Sequence, residues 1–174
     1  MISKCPPTLV VMAGLPGTGK STLATALAAE LQGVVLDKDR IRAALFPADL
    51  IEYSTEQDDF CMEVLLQTAA YLVSKTGTPW VFVDGRPFAR RKQLERVAQA
   101  AQDIGCRLRV ILCQCSDEIA RQRLQEAHPA ANRTWHLYQK LKKEFEPIQV
   151  EHRLIDTGHP LAVCVAAARE FLCP

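Results

Sequence analysis

The stretch Gly14-Leu15-Pro16-Gly17-Thr18-Gly19-Lys20-Ser21 satisfies the pattern G-x-x-x-x-G-K-[ST] at every fixed position. An apolar run, Thr8 to Ala13, leads into it, and helix-forming residues, Thr22 to Leu31, follow. A glycine loop between a strand and a helix turns backbone N–H groups inward, and the helix N-terminus adds a positive dipole end. Such a loop holds a polyphosphate, with Lys20 reaching the β- and γ-phosphates and the Ser21 hydroxyl on Mg²⁺. Nucleotide contacts are expected from Gly14 through Thr22.

The remaining chain alternates short apolar runs with helical patterns, the order of a parallel sheet covered by helices on both faces. Strands are expected over Thr8–Ala13, Val34–Leu36, Trp80–Asp84, Leu108–Cys115 and Arg153–Asp156, all Val/Ile/Leu-rich as in strands buried on both sides. Helical patterns cover Ser21–Gln32, Lys38–Leu45, Thr55–Ser74, Arg90–Ile104, Asp117–Ala127, Trp135–Phe145 and Leu161–Phe171. Pro129 forces a loop at His128–Arg133. No repeat or linker divides the 174 residues, so one domain over 1–174 is expected. A net charge of +1 gives no reason to expect a nucleic-acid or membrane surface. Without a signal sequence or spanning segment, cytoplasmic residence is expected. Seven cysteines, with no C-x-x-C pair, read as reduced core thiols, Cys113 and Cys115 sharing one face of a strand.

Two further segments carry chemistry. Trp80-Val81-Phe82-Val83-Asp84-Gly85 is an apolar strand ending in a carboxylate, which can hold Mg²⁺ directly or through water. Val34-Val35-Leu36-Asp37-Lys38-Asp39-Arg40-Ile41-Arg42 ends a strand and starts a helix. In an open α/β sheet ligands bind at the carboxyl ends of strands, so this junction faces the phosphate loop. One of Asp37 and Asp39 can accept the proton of an acceptor hydroxyl, while the other caps the helix. Arg42 either clamps an anionic part of the substrate or pairs with Asp39. Arg86, just past the Asp84 strand end, is a candidate contact to the acceptor. The histidines show no pairing with a nucleophile.

With Gly-Leu-Pro-Gly-Thr-Gly-Lys-Ser-Thr, Asp-Arg-Ile-Arg, the Val-Asp strand end and the later Arg-rich helix, the chain resembles the small P-loop kinases. These are sometimes filed as AAA-type ATP-binding domains, and they are similar to the polynucleotide kinase, chloramphenicol phosphotransferase and gluconate kinase groups. The resemblance implies a three-layer P-loop NTPase fold with sheet order 2-3-1-4-5 and a helical lid near 125–135. It maps the base onto Asp39 and lid arginines onto Arg123, with Arg121 and Arg133 as alternatives. It also implies base contacts near Asp156–His159 and a structural role for Phe145–Ile148.

The expected activity is transfer of the γ-phosphate of ATP to a small-molecule hydroxyl, with Mg²⁺, Lys20, Asp39 and Arg123 as the working parts. A 5′-hydroxyl polynucleotide kinase is an alternative, opposed by the near-zero charge and the lack of basic stretches interleaved with aromatics. A non-catalytic nucleotide switch is another, opposed by the absence of Asp-x-x-Gly and Asn-Lys-x-Asp motifs. Lys20 and Asp39 are expected to face solvent, so that replacing them leaves stability intact.

Overall fold

The computed structural model describes residues 6–126 and 133–173. Cys5 and residues 127–132, which carry most of the expected loop and lid, lie outside the described residues. In chain order the elements are β1 (Thr8–Ala13), α1 (Lys20–Leu31), β2 (Val34–Asp37), α2 (Lys38–Leu45), a 3-10 turn (Ala48–Leu50) and α3 (Thr55–Tyr71). A π turn (Leu72–Thr76) extends α3 and is followed by β3 (Trp80–Asp84), α4 (Arg91–Ile104) and β4 (Arg107–Gln114). Then come α5 (Asp117–Leu124), α6 (Trp135–Glu144), β5 (His152–Asp156) and α7 (Leu161–Leu172).

The strands pair in parallel in the order β2-β3-β1-β4-β5. Period-two alternation splits the central strands between two helical layers. Val10, Met12, Phe82, Ile111 and Cys113 face α1 and α7, meeting Leu23, Leu27, Ala168 and Leu172. Val11, Ala13, Val83 and Val110 face α3 and α4, meeting Leu65, Leu66, Leu94 and Val97. All six residues of β1 are buried, which explains its uninterrupted apolar run. Each such Leu or Ile side chain contributes about 1.5–3 kcal/mol relative to exposure. Both edge strands depart from the sequence expectation: only Ile155 is buried in β5, and all four residues of β2 are partly exposed. No described helix is long and apolar enough to cross a membrane.

The topology gathers chemistry at one end of the sheet. Because β3 lies beside both β1 and β2, its last residue, Asp84, pairs in register with Asp37 of β2. The chain past β3 also meets the end of β1, where the Gly14 N–H donates to Pro87 O at 3.0 Å. Gly85 has φ +89°, and a Cβ there would lie 2.7 Å from both Asp37 Oδ1 and Lys38 N. Only glycine allows β3 to end so close to the β2–α2 junction.

Of the described cysteines, none forms a disulfide. Cys113 is buried in β4, but Cys115 lies past the strand and packs with Ala120 and Tyr138 instead of sharing the Cys113 face. The reason is that β4 ends at Gln114 and the chain turns there into α5. Burial pushes the Cys113 thiol up to about 12, so it holds little thiolate near neutrality. Under iodoacetamide at pH 8, mass spectrometry is expected to find exposed Cys173 alkylated long before Cys113. Equal rates in the folded protein would contradict this packing.

Candidate active site

The phosphate loop is shaped by its glycines and closed on itself. Gly14 has φ +134°, and a Cβ there would lie 2.3 Å from Cys113 O, so no side chain fits between the loop and β4. Thr18 Oγ1 donates to Leu15 O at 2.7 Å, and Lys20 Nζ donates to the same carbonyl at 2.8 Å. Helix α1 starts from Gly19 with no side-chain cap. Its first-turn N–H groups therefore have no side-chain acceptor, and they point where an anion would be stabilised. Ser21 and Thr22 lie exposed in that same turn, while Leu15, Pro16 and Gly17 shape the bend before it.

On the far side the loop is tied to the segment after β5. The Thr157 hydroxyl lies 2.8 Å from Thr18 O and donates to it. Arg123 of α5 donates to Thr157 O at 2.8 Å, to Thr157 Oγ1 at 3.2 Å and to Gly17 O at 3.5 Å. Arg123 thus spans the phosphate loop and the turn expected to meet the base. Arg121 points elsewhere, its guanidinium 5.7 Å from the Trp135 ring, which stacks on Tyr138 at 4.7 Å. Arg133 comes within electrostatic reach of Asp39, Asp84 and Lys20. Burial lowers its pKa, yet an arginine stays charged throughout the working range.

Asp84 is 1% exposed, and neither carboxylate oxygen has a hydrogen-bond partner among the described residues. Beside it the Lys20 ammonium is pushed down in pKa by burial, and the Asp84 charge is the strongest influence opposing that shift. Lys20 is half-buried, so the expectation that it faces solvent is corrected: its ammonium folds back onto Leu15 O of the loop. Asp84 and the exposed Ser21 hydroxyl fit Mg²⁺, which takes few protein oxygens and keeps waters and phosphate oxygens as its other ligands. Among the described residues no cluster of three or more His, Cys, Asp or Glu could hold a metal by itself.

The two aspartates of the next junction separate cleanly. Asp37 Oδ1 accepts from the Asp39 N–H at 2.8 Å and caps α2. Burial raises its pKa; the Asp39 N–H opposes the rise, and the like charges of Asp84 and Asp39 add to it. Asp39, 30% exposed at its side chain, is held at Oδ1 by Arg42 Nη1 at 2.7 Å and by Lys38 Nζ at 3.2 Å. Its expected solvent-facing character is therefore only partial, because two buried cations draw the carboxylate inward.

Arg42 is 2% exposed and also donates to Asp58 of α3, with its guanidinium 5.1 Å from the Tyr53 ring. Arg86 is nearly buried and donates to Asp59 at 2.6 Å. Sequence reading did not single out Lys38, Asp58, Asp59 or Thr157. No spacing rule links α3 to α2 or the β5–α7 turn to the phosphate loop, and a lysine flanked by aspartates reads as solvated surface. Glu146, in the Phe145–Ile148 segment, accepts from the Arg91 N–H at 2.6 Å at the start of α4.

The sequence profile of the AAA domain matches residues 9–148, from β1 to beyond α6. The chain belongs to the AAA domain family. No curated protein sequence is significantly similar to this AAA domain. Solved structures share its fold, that of the small P-loop kinases. A gluconokinase from Sinorhizobium meliloti 1021 superposes with a TM-score of 0.69 at 19% identity, covering 95% of this chain and 90% of the other. The Mycobacterium tuberculosis APS kinase in complex with AMPPNP and APS gives 0.72 at 15% identity, covering 97% and 98%. A sugar kinase from Janibacter sp. HTCC2649 gives 0.63 at 16% identity, covering 96% and 94%.

Replacing Asp84 by Asn removes no hydrogen bond made by a described residue and deletes a buried charge. The nucleotide-free protein is expected to stay folded in Asp84→Asn, while the gain in ATP affinity on adding Mg²⁺ disappears. Calorimetric titration with and without Mg²⁺ measures this; an undiminished gain would remove Asp84 from the metal site.

Proposed function

We propose that this AAA domain is an ATP-dependent phosphotransferase that moves the γ-phosphate of ATP onto a hydroxyl of a small molecule. The observation that carries the reading is a meeting at one end of the sheet. A phosphate loop, a buried carboxylate without hydrogen bonds from the described residues and a second carboxylate anchored through one oxygen converge there.

In this reading the N–H groups of the loop and of α1 cradle the phosphates from Gly14 to Thr22, and Lys20 turns from Leu15 O to the β- and γ-oxygens. Ser21 and Asp84 hold Mg²⁺, which supplies neutralisation of phosphate charge. Asp39 orients the acceptor hydroxyl and takes its proton as the oxygen–phosphorus bond forms and the bond to the β-phosphate oxygen breaks. Arg133, within electrostatic reach of Asp39 and Asp84, offsets charge spreading over the γ-oxygens; Arg123 secures the loop and the base-side turn. Arg121 lies against Trp135, a place from which it steadies α6. Arg42 fixes Asp39, and Arg86 borders the acceptor side. Much of the rate comes from positioning and electrostatics, as in phosphoryl transfer generally.

The AMPPNP and APS named with the M. tuberculosis structure support nucleotide use together with a small acceptor. A net charge of +1 disfavours a polynucleotide acceptor. Unpaired buried thiols agree with work in the cytoplasm.

The test is ADP release from MgATP across sugars, nucleosides, antibiotics and a 5′-hydroxyl oligonucleotide. Lys20→Ala is expected to lose about 10²–10³-fold in turnover and to bind ATP more weakly. Asp39→Asn is expected to bind ATP normally and lose about 10²–10⁴-fold in turnover. Normal turnover in Asp39→Asn would sink the base assignment.

A further inference from the structure

Four charged side chains form a closed ring at the edge of the site. Asp39 Oδ1 meets Arg42 Nη1 at 2.7 Å and Lys38 Nζ at 3.2 Å; Asp58 Oδ1 meets Lys38 Nζ at 2.7 Å and also Arg42 Nη2. The two cations are 4% and 2% exposed, so both are largely stripped of water and depend on the two carboxylates. Three members lie within one turn of α2, whereas Asp58 comes from α3, sixteen residues beyond Arg42. Among the described residues, all contacts to the Asp39 carboxylate fall on Oδ1, which leaves Oδ2 for a ligand.

We propose that Asp58 is a positioning residue for phosphoryl transfer: by sharing Arg42 and Lys38 with Asp39, it keeps one Asp39 oxygen turned toward the acceptor. This rests on the reading of Asp39 as the proton acceptor. The argument is one of charge count. With Asp58 present, two cations are divided between two carboxylates. Without its charge, Arg42 Nη2 loses its anionic acceptor, and Arg42 Nε already has no partner among the described residues. Both buried cations then have Asp39 as the remaining carboxylate of the ring, and they engage its second oxygen as well. A carboxylate clamped through both oxygens still balances the charge, but it no longer presents a free oxygen to a hydroxyl. Among the described residues the hydrogen bonds and ion pairs of the Asp58 carboxylate go to Lys38 and Arg42, and it acts through them.

The test compares Asp58→Asn, Asp58→Glu, Asp39→Asn and the Asp39→Asn/Asp58→Asn pair in the full chain. Two readouts are used. The first needs no acceptor: ¹⁵N-resolved guanidinium N–H signals of Arg42, assigned by their loss in Arg42→Lys. Two-sided pairing slows guanidinium rotation, so these signals are expected to be sharp in the wild type, broadened in Asp58→Asn and restored in Asp58→Glu. The second is steady-state ADP release, with water or the best acceptor of the panel. Asp58→Asn is expected to lower kcat by about 10- to 10²-fold, with KM for ATP unchanged and most activity returning in Asp58→Glu. In the Asp39→Asn background, Asp58→Asn is expected to cost nothing further.

Unchanged Arg42 signals together with normal kcat in Asp58→Asn overturn the inference. So does a loss that persists in full on the Asp39→Asn background, because that would be a general structural defect. Full turnover in Asp39→Asn strikes the proposed base instead, whatever Asp58 does.

Discussion

A charged carboxylate closed off from water at the end of a central strand is costly unless another charge answers it. Asp84 is a buried carboxylate at such a place, with no hydrogen bond from a described residue and with Lys20 within electrostatic reach. Much of the surrounding architecture serves that meeting. The lysine follows β1 and the aspartate ends β3, so these strands must be neighbours, which the order β2-β3-β1-β4-β5 provides. Gly85 lets the chain leave β3 tight against Asp37 and Lys38, and the Gly14–Pro87 hydrogen bond joins the ends of β1 and β3.

The site then divides into two supports. On one side Arg123 and Thr157 hold the phosphate loop against the segment after β5. On the other, α2 and α3 are joined through charged side chains, with Arg42 and Lys38 between Asp39 and Asp58. The first support depends on hydrogen bonds to backbone carbonyls, which hold the loop in one shape. The second depends on ion pairs between side chains, whose geometry can shift with any charge placed beside them.

The sheet was legible in the sequence because its signals are local. Thr8–Ala13 and Trp80–Asp84 carry the apolar runs that burial on both faces demands, and the strand bounds agree. The phosphate loop announced itself by its glycines, of which Gly14 and Gly17 combine a positive φ with a backbone oxygen under 3 Å from where a Cβ would stand. The choice between Asp37 and Asp39 as helix cap could not be made from spacing, since either carboxylate can cap; the Asp39 N–H bond decided it. Helix ends drifted where the chain has no sharp stop, as in α3, which passes into a π turn before Gly77. Contacts between distant segments, such as Arg42 with Asp58 or Arg123 with Thr157, leave no periodic trace. Nor did composition reveal that Lys38 and Arg42 lie buried, because their burial depends on charges sixteen or more residues away.

The Thr157 hydroxyl joins two parts of the molecule that are far apart in the chain, the phosphate loop and the turn after β5. Bonded to Thr18 O and linked through Arg123 to Gly17 O, the turn after β5 and the phosphate loop form one mechanical body. A disturbance of that turn is therefore transmitted to the shape of the loop as well. The position of that turn and the shape of the phosphate loop are coupled properties here, and neither can drift through substitution without carrying the other along.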